Sequence, residues 1–239
     1  MKLTLVQQML QARQNKQPFA LLTWLDNGRE CLLRLDASED TGGDTGGSDL
    51  PADFVAQIRQ AILDDNSGLL ETESGRVFVH VFQPPLRLLI VGAVHIAQAL
   101  IPVARLLGYQ ITLIDPRQAW AAESRFAGVS ISTQWPDEAL LELAPDTRTA
   151  IVTLSHDPKL DDPALKVALD SPAFYIGALG SRRTHATRLQ RLQESGLEQA
   201  ALARIHAPIG LDIGAKSPAE IALSIMAELT QTLRRGGAA

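Results

Sequence analysis

From Leu86 onward, short apolar runs alternate with longer segments of helical pattern, and this alternation leaves few folds open. The predicted strands are Leu86–Val91, Tyr109–Asp115, Ala150–Leu154, Phe174–Gly177 and Arg204–Ala207. The predicted helices are His95–Leu107, Arg182–Glu194 and Pro218–Arg235. Strands that read as continuous apolar runs are typical of a parallel sheet covered by helices on both faces. The sequence therefore predicts a Rossmann-like domain with a doubly wound parallel sheet.

The part of the chain before these strands has a different pattern. The predicted elements there are a hairpin of Phe19–Leu25 and Glu30–Leu35, a helix over Pro51–Asp64 and a strand over Gly75–Phe82. Asn27-Gly28, between the two hairpin strands, is a dipeptide that favours a tight turn. Gly42–Ser48 is a glycine-rich loop. Together these elements predict a small N-terminal α/β domain.

Two consecutive prolines, Pro84 and Pro85, separate the two patterns. Such a pair favours an extended link over a continuing helix or strand. We therefore predict an N-terminal domain over residues 1–83, a linker over 84–86 and the Rossmann-like domain over 87–239.

Composition and charge exclude several classes of protein. Lysine and arginine number 22 against 27 acidic residues, giving a net charge of −5, whereas nucleic-acid-binding domains present a basic face. No apolar run approaches the roughly 18 residues that span a bilayer, and the N-terminus turns polar too early for a signal peptide. The single cysteine, Cys31, excludes an intrachain disulfide. The sequence predicts a cytoplasmic protein that binds neither nucleic acid nor membrane.

The turn after the first apolar strand reads Gly92-Ala93-Val94-His95-Ile96-Ala97. In a dinucleotide-binding fingerprint, Gly92 would supply the tight turn and Ala97 the small residue for helix packing. Val94 stands where a glycine would let the pyrophosphate approach. Asp115, at the end of the next strand, is placed to bond a ribose hydroxyl. Two interpretations stay open: a nucleotide or pterin ligand, or a tight strand–helix turn without a ligand.

A second polar loop, Ser155-His156-Asp157-Pro158, follows the strand that ends at Leu154. In the usual strand order this strand lies beside the first one, where open α/β sheets bind their ligands. His156 and Asp157 are therefore predicted to face the Gly92 loop. The alternative is an Asx-type turn before a helix. No second histidine has metal-ligand spacing here, so the sequence predicts no metal site.

A third loop, ending at Gly180, opens a basic helix with Ser181, Arg182 and Arg183. Amides at a helix N-terminus and two guanidinium groups predict a local anion site. The alternative is that Ser181 caps the helix and both arginines are solvated.

A fourth glycine-bearing loop contains Gly210 and Asp212 and leads into Ser217-Pro218-Ala219-Glu220. This tetrad has the pattern of a capping box at a helix start. The loop itself is predicted to close over the same crevice as the other three.

Together these segments resemble the XdhC/CoxI family, accessory proteins of molybdenum hydroxylases such as xanthine dehydrogenase. The matching segments are Gly92–Leu100, Ile114–Arg117, Thr153–Asp157, Tyr175–Arg183, Pro208–Gly214 and Ser217–Ala222. Val94 replaces the family's usual glycine, and the N-terminal part lacks the family's Arg-Gly-Ser and Gly-Gly-Gly-His signatures. The resemblance therefore covers the C-terminal domain.

The resemblance implies a protein that holds molybdenum cofactor, supports its sulfuration and passes it to a molybdenum hydroxylase apoenzyme. It also implies a cysteine desulfurase as a further partner and a homodimer as a candidate assembly. The residues expected to bind the cofactor are Gly92, His95, Asp115, His156, Asp157, Gly180, Ser181, Arg182, Arg183, Gly210 and Asp212.

Three hypotheses follow for the function. The segments as a set favour a non-catalytic chaperone that binds molybdenum cofactor. An NAD(P)-dependent oxidoreductase with a degenerate fingerprint is the alternative, supported by the predicted fold and Asp115 but opposed by Val94. A scaffold that binds only proteins would leave His156 and the two arginines without a task.

Overall fold

The computed structural model describes residues 2–35, 50–72, 75–121 and 123–235. The chain divides into two compact units, Met1–Pro84 and Pro85–Ala239. The predicted loop Gly42–Ser48 lies outside the described residues. Both units combine helices with a sheet, so the predicted α/β class is confirmed.

The described residues of the N-terminal unit form two helices and four strands. Its helices are α1 (Leu3–Gln14) and α2 (Ala52–Leu63). Its strands are β1 (Phe19–Trp24), β2 (Glu30–Arg34), β3 (Gly68–Thr72) and β4 (Gly75–Phe82). The strands pair antiparallel in the order β2-β1-β4-β3.

The side chains of this sheet alternate between two apolar layers. Leu22 and Val79 are buried with Ile58 of α2, whereas Phe19 is buried on the other side with Leu5 of α1. Successive residues of a strand point to opposite faces, so one run of apolar residues can serve both layers.

The predicted hairpin is confirmed, but its turn is longer than the Asn-Gly dipeptide. β1 ends at Trp24 and β2 begins at Glu30. Gly28 has a φ of +70°, and the Asn27 side chain accepts a hydrogen bond from the Arg29 amide at 2.9 Å. The Asn27 side chain therefore organises a wider loop.

Helix α1 and strand β3 were not predicted from the sequence. In α1, Leu5 and Ala12 are buried while Leu3 and Leu10 are exposed, which leaves no clear apolar stripe in the sequence. Strand β3 alternates between half-buried and exposed residues at the edge of the sheet. Neither segment carries a strong periodic signal.

In the part of the C-terminal unit that the structure describes, there are six strands and the remaining helices. Its strands are β5 (Arg87–Val91), β6 (Gln110–Ile114), β7 (Ser130–Ser132), β8 (Thr149–Thr153), β9 (Tyr175–Ala178) and β10 (Ile205–His206). Its α-helices are α3 (His95–Leu106), α4 (Pro136–Leu143), α5 (Pro158–Asp170), α6 (Arg182–Glu194), α7 (Gln199–Leu202) and α8 (Pro218–Arg235). A 3₁₀ turn covers Glu123–Arg125.

All strand pairs of this sheet are parallel, in the order β10-β9-β8-β5-β6-β7. The order reverses between β5 and β8, with Val91 beside Thr153. This reversal is the switch point at which doubly wound sheets bind ligands. The predicted neighbourhood of β5 and β8 is confirmed.

Helices cover both faces of the parallel sheet. Leu88 and Ile90 are buried with apolar residues of α3 and α8, whereas Leu89 and Val91 are buried with residues of α4, α5 and α6. Successive residues of β5 therefore enter two different cores, which explains its continuous apolar sequence.

Helix α8 starts with the predicted capping box. The Ser217 amide donates to the Glu220 carboxylate at 2.8 Å, and the Glu220 amide donates to the Ser217 hydroxyl at 3.3 Å. These bonds satisfy amides that a helix N-terminus otherwise leaves free.

Three elements of this unit were not predicted, α4, α7 and β7, and α5 was expected only in the alternative interpretation of the Asp157 loop. Helix α5 contains Pro163 and two adjacent aspartates, which obscure its apolar pattern. Pro158 occupies its first turn, where proline is tolerated because the first amides lack helical partners. Pro163 lies at its sixth position, and the helix continues to Asp170.

Candidate ligand-binding site

Three loops meet at the carboxyl edge of the parallel sheet because they follow neighbouring strands. The ladder continues beyond the strands: the Leu154 amide donates to the Val91 carbonyl, and the Leu179 amide donates to the Thr153 carbonyl, both at 2.8 Å. The loops after β5, β8 and β9 are therefore adjacent, as ligand sites of open α/β sheets require.

Gly92 packs directly against the loop after β8. Its φ is +108°, and a Cβ atom at this position would lie 2.8 Å from the Ser155 nitrogen and 3.0 Å from the Ser155 Cα. Val94, two residues on, is half-buried and packs against the core shared by α3 and α8. His95 begins α3 with an exposed side chain. The residues of this turn therefore allow the loops after β5 and β8 to pack closely against each other.

Asp115 is fully buried, and its carboxylate is used within the protein. It accepts hydrogen bonds from the Ala93 amide at 2.8 Å and the Arg117 amide at 3.0 Å. The Arg117 guanidinium adds two more, at 2.9 and 2.8 Å. Burial alone would raise the pKa of Asp115, but these bonds lower it below its ordinary value. Asp115 thus holds the Gly92 turn, and direct contact with a ligand stays a prediction.

Arg117, which the sequence reasoning missed, extends this clamp to the surface. Its guanidinium lies 5.2 Å from the ring centre of Trp120, whose side chain is exposed. The charges of Asp157 and Asp161 also act on Arg117. The two-residue spacing between Asp115 and Arg117 was the signal available in the sequence.

A pocket of about 270 Å³ opens between α5 and α6. On one side it is lined by His156, Pro158, Asp161 and Asp162. On the other side it is lined by Arg183, Thr184, Thr187, Arg188 and Arg191. Arginine thus dominates the second wall.

Arg188 and Asp161 form a buried but incomplete pair in this pocket. Their side chains are 3% and 2% exposed, and Arg188 Nη2 lies 3.7 Å from Asp161 Oδ2. Asp161 Oδ1 accepts from the Ser155 hydroxyl at 2.6 Å. Burial raises the pKa of Asp161, although Ser155 and Arg188 oppose this shift. Sequence reasoning missed both residues.

His156 and Asp157 have separate roles in the loop after β8. His156 is exposed, adopts a φ of +62° and lines the pocket. Asp157 accepts from the Lys159 amide at 3.0 Å and caps α5. The alternative interpretation of an Asx-type turn therefore describes Asp157.

The start of α6 combines a cap with two different arginines. Ser181 accepts from the Thr184 amide at 3.1 Å and caps the helix. Gly180, before it, has a φ of +144°. Arg182 and Arg183 are both exposed, but Arg183 lines the pocket and Arg182 is not among its described lining residues.

The Gly210 loop is tied to α8. The Gly210 amide donates to Glu228 at 2.7 Å, and the Tyr175 hydroxyl donates to the same carboxylate at 2.6 Å. His206 Nδ1 lies 3.1 Å from its other oxygen. Asp212 is exposed, and neither it nor Gly210 is among the described residues that line the pocket.

Replacing Glu228 by glutamine is expected to reduce the free energy of unfolding by about 1–3 kcal/mol at pH 7. Burial alone would raise the pKa of Glu228, but hydrogen bonds with His206, Tyr175 and the Gly210 amide lower it below its ordinary value. A carboxyl group whose pKa is lower in the folded than in the unfolded protein stabilises the fold at a pH above its unfolded pKa. This contribution is lost as the pH falls through the folded pKa. The difference between variant and wild type should therefore shrink in acid.

Urea denaturation from pH 7 down to pH 3 measures this difference. The matched control is Glu194→Gln on the exposed side of α6, which should change stability by less than about 0.5 kcal/mol. An equal loss for Glu228→Gln at every pH would contradict the prediction.

All eleven predicted cofactor residues lie in the described part of the chain, and two of them, His156 and Arg183, line the pocket. Gly92 and Asp115 organise the neighbouring turn. Within residues 2–35, 50–72, 75–121 and 123–235, no three histidine, cysteine or acidic side chains cluster as a metal site would require. No described helix has both the length and the apolar character to cross a membrane.

Comparison with protein families identifies the C-terminal unit. The family model described as the XdhC Rossmann domain matches residues 88–229. A crystal structure of a xanthine dehydrogenase from Bacillus halodurans superposes with a TM-score of 0.70 at 22% identity, covering 98% of this chain and 66% of that one. At this identity the superposition shows the fold.

Several curated proteins match the chain in sequence, and two of them have descriptive names. The molybdenum cofactor insertion chaperone PaoD of Escherichia coli (strain K12) is 34% identical over 148 residues, covering 62% of this chain and 40% of that protein. A probable xanthine dehydrogenase subunit of Bacillus subtilis (strain 168) is 30% identical over 164 residues, covering 68% of this chain and 48% of that protein. The chain thus spans less than half the length of each of these relatives.

Proposed function

Because the chain belongs to the XdhC family through its Rossmann domain over residues 88–229, we propose that it binds molybdenum cofactor and delivers it to a molybdenum hydroxylase apoenzyme. The name of its E. coli relative, a molybdenum cofactor insertion chaperone, supports this role. The receiving enzyme in the proposal is of the xanthine dehydrogenase type. In this proposal the chain acts as a carrier of the cofactor.

The observation that carries the proposal is the arginine-lined pocket beside the switch point of the sheet. Molybdenum cofactor is a pterin with a terminal phosphate, so its carrier needs cations at one end of the site. Arg183 and Arg188 supply them. His156, on the opposite wall, is exposed at the loop after β8, and we propose that it contacts the reactive end of the cargo.

The remaining predicted residues then shape the site. Asp115 and Gly92 fix the turn after β5, and Asp157 caps the helix that carries Asp161. Ser181 fixes the first turn of α6, on which Arg183 stands. Preorganised walls reduce the entropy lost on binding.

The proposal includes sulfuration of the cofactor with a cysteine desulfurase as the sulfur donor. Cys31 is the single cysteine of the sequence. It is fully buried, and burial raises the pKa of its thiol. A sulfur carrier needs an accessible thiolate, so Cys31 is not suited to relay sulfur between the desulfurase and the bound cofactor.

NAD(P)-dependent oxidoreduction is the second candidate function, and the Rossmann-like fold favours it. Asp115 opposes it, because the four described hydrogen bonds of this buried carboxylate are made with Ala93 and Arg117. A dinucleotide site needs a free acid for the ribose hydroxyls.

The purified chain is expected to retain molybdopterin, measured by mass spectrometry and absorbance after gel filtration, and to activate a molybdenum hydroxylase apoenzyme. NAD(H) in a parallel sample should not be retained. Cys31→Ala is the control for sulfuration and should leave desulfurase-dependent activation unchanged. Retention of NAD(H) without molybdopterin would support the oxidoreductase, and a complex with apoenzyme without either ligand would support a scaffold.

A further inference from the structure

Arg188 is buried without enough hydrogen-bond acceptors. Its Nη2 donates to the Leu179 carbonyl at 2.8 Å, while Nε and Nη1 have no partner among the described residues. Burial lowers the pKa of this guanidinium. Buried polar groups are paired in most folded proteins, so unpaired donors here require an explanation.

Asp161 does not supply the missing acceptors. Its Oδ2 lies 3.7 Å from Arg188 Nη2, which is too long for a hydrogen bond. Its Oδ1 is used by the Ser155 hydroxyl. A guanidinium has five N–H donors in a fixed plane, and the described partners of Arg188 occupy only one edge of it.

The surroundings of Arg188 favour an anion as the missing partner. Arg191 is paired with Asp162 through two hydrogen bonds of 2.7 and 3.0 Å, so these two charges cancel. Arg183 and Arg188 then face Asp161 alone, which leaves the pocket with a positive charge. The pocket lies against the first three turns of α6, and Arg183 and Thr184 in the first turn are near the positive end of its helix dipole.

We propose that the pocket between α5 and α6 binds a phosphate monoester, with Arg188 at its closed end and Arg183 at its mouth as the two guanidinium partners. Resting on the proposed function, this assignment makes the terminal phosphate of the cofactor the group that is bound here. Thr184, on the same wall, supplies a hydroxyl group to a remaining phosphate oxygen, whereas the Thr187 hydroxyl donates to the Arg183 carbonyl. Two planar guanidinium groups suit a tetrahedral dianion because each can donate two parallel hydrogen bonds.

Two neighbouring arginines provide a matched test. Inorganic phosphate is titrated into the protein at pH 8 and low salt, and binding is followed by ³¹P NMR and calorimetry. Arg183→Ala should weaken phosphate binding by about tenfold to a hundredfold. Arg182→Ala removes the same charge one residue away, outside the described lining of the pocket, and should change the affinity less than about twofold. Equal losses in both variants would overturn the proposal, because they would indicate a diffuse basic field.

Asp161→Asn tests the sign of the ligand charge. Asparagine keeps an acceptor for Ser155 but removes the negative charge beside Arg188, so phosphate binding should become stronger by about threefold or more. Weaker phosphate binding by this variant, with an unchanged melting temperature, would overturn the proposed anion site. It would indicate a ligand that donates a hydrogen bond to Asp161.

Parallel titrations with molybdopterin separate this proposal from the proposed function. Phosphate binding that depends on Arg183, without retention of molybdopterin, supports the anion site and contradicts the carrier role. Retention of molybdopterin by wild type and Arg183→Ala alike, without binding of inorganic phosphate, supports the carrier role and overturns the anion site. Competition between the two ligands supports both.

Discussion

Replacing Arg188 by methionine is expected to lower the free energy of unfolding by about 3–5 kcal/mol. The substitution removes the cation that faces Asp161, whose side chain is 2% exposed. A buried carboxylate without a cation is costly, whereas methionine fills much of the space of the arginine stem. Urea denaturation at pH 8 measures the loss.

The same variant should have a characteristic pH dependence. Burial already raises the pKa of Asp161, and loss of Arg188 raises it further. A carboxyl group whose pKa is higher in the folded than in the unfolded protein makes its full contribution to stability below its unfolded pKa. This contribution is lost as the pH rises through the folded pKa. The deficit of Arg188→Met should therefore be larger at pH 8 than at pH 4.

Arg191→Met is the matched control, because Arg191 pairs with Asp162 one turn further along α6. Its side chain is 36% exposed, so the loss should be about 1 kcal/mol or less. The double variant Arg188→Met/Asp161→Leu should recover much of the lost stability, since replacing both members of a buried pair is often neutral. An Arg188→Met protein as stable as wild type at pH 8 would contradict the argument.

Gly92→Ala is expected to destabilise the C-terminal unit by about 2–5 kcal/mol. Gly92 has a φ of +108°, and the added Cβ would lie 2.8 Å from the backbone nitrogen of Ser155. The left-handed region costs an L-residue about 1–2 kcal/mol, and displacement of packed backbone costs about 1–3 kcal/mol more. The clash cannot be relieved by rotating a side chain, because the nearest atoms belong to the main chain.

Gly108→Ala separates the two contributions. Gly108 also has a positive φ, +81°, but no described atom lies within 4 Å of its Cβ position. Its substitution should cost about 1–2 kcal/mol from backbone strain alone. Similar losses in the two alanine variants, measured by urea denaturation, would show that contact with Ser155 contributes nothing.

The arrangement of the central strands could be predicted because successive residues of one strand are buried in two different cores. Leu88 and Leu89 face opposite layers, and both are buried. A run that is apolar at every position fits a strand covered on both sides better than a helix of the same length. The position of β8 beside β5 then followed from the usual order of such sheets.

Helix α5 could not be predicted by the same reasoning. Its Asp161 lies in the first turn and is buried, so a charged residue occupies a position where periodicity expects an apolar one. The compensating partner, Arg188, is 27 residues away in sequence. Long-range pairs of this kind are not visible in a local pattern.

The candidate site was predicted in part. Arg183 was found because it follows a glycine-bearing turn that begins a helix. Arg188 was missed, although it stands four residues before the buried Leu192 and therefore on the same helix face. An arginine at the apolar spacing of an otherwise polar helix was the signal. Which of two adjacent arginines enters the pocket depends on packing of α5 against α6.

The four hydrogen bonds at Asp115 carry an evolutionary consequence. A change of Arg117 would leave the buried Asp115 carboxylate with the amides of residues 93 and 117 as its only described donors, and a change of Asp115 would leave the Arg117 guanidinium and both amides without this acceptor. A descendant of this chain could not acquire a ribose-binding acid by exchanging Val94 for glycine. It would also have to release Asp115 from Arg117, and both steps would have to precede any benefit from a new ligand. A ribose-binding acid at position 115 would therefore require more than one substitution in this chain.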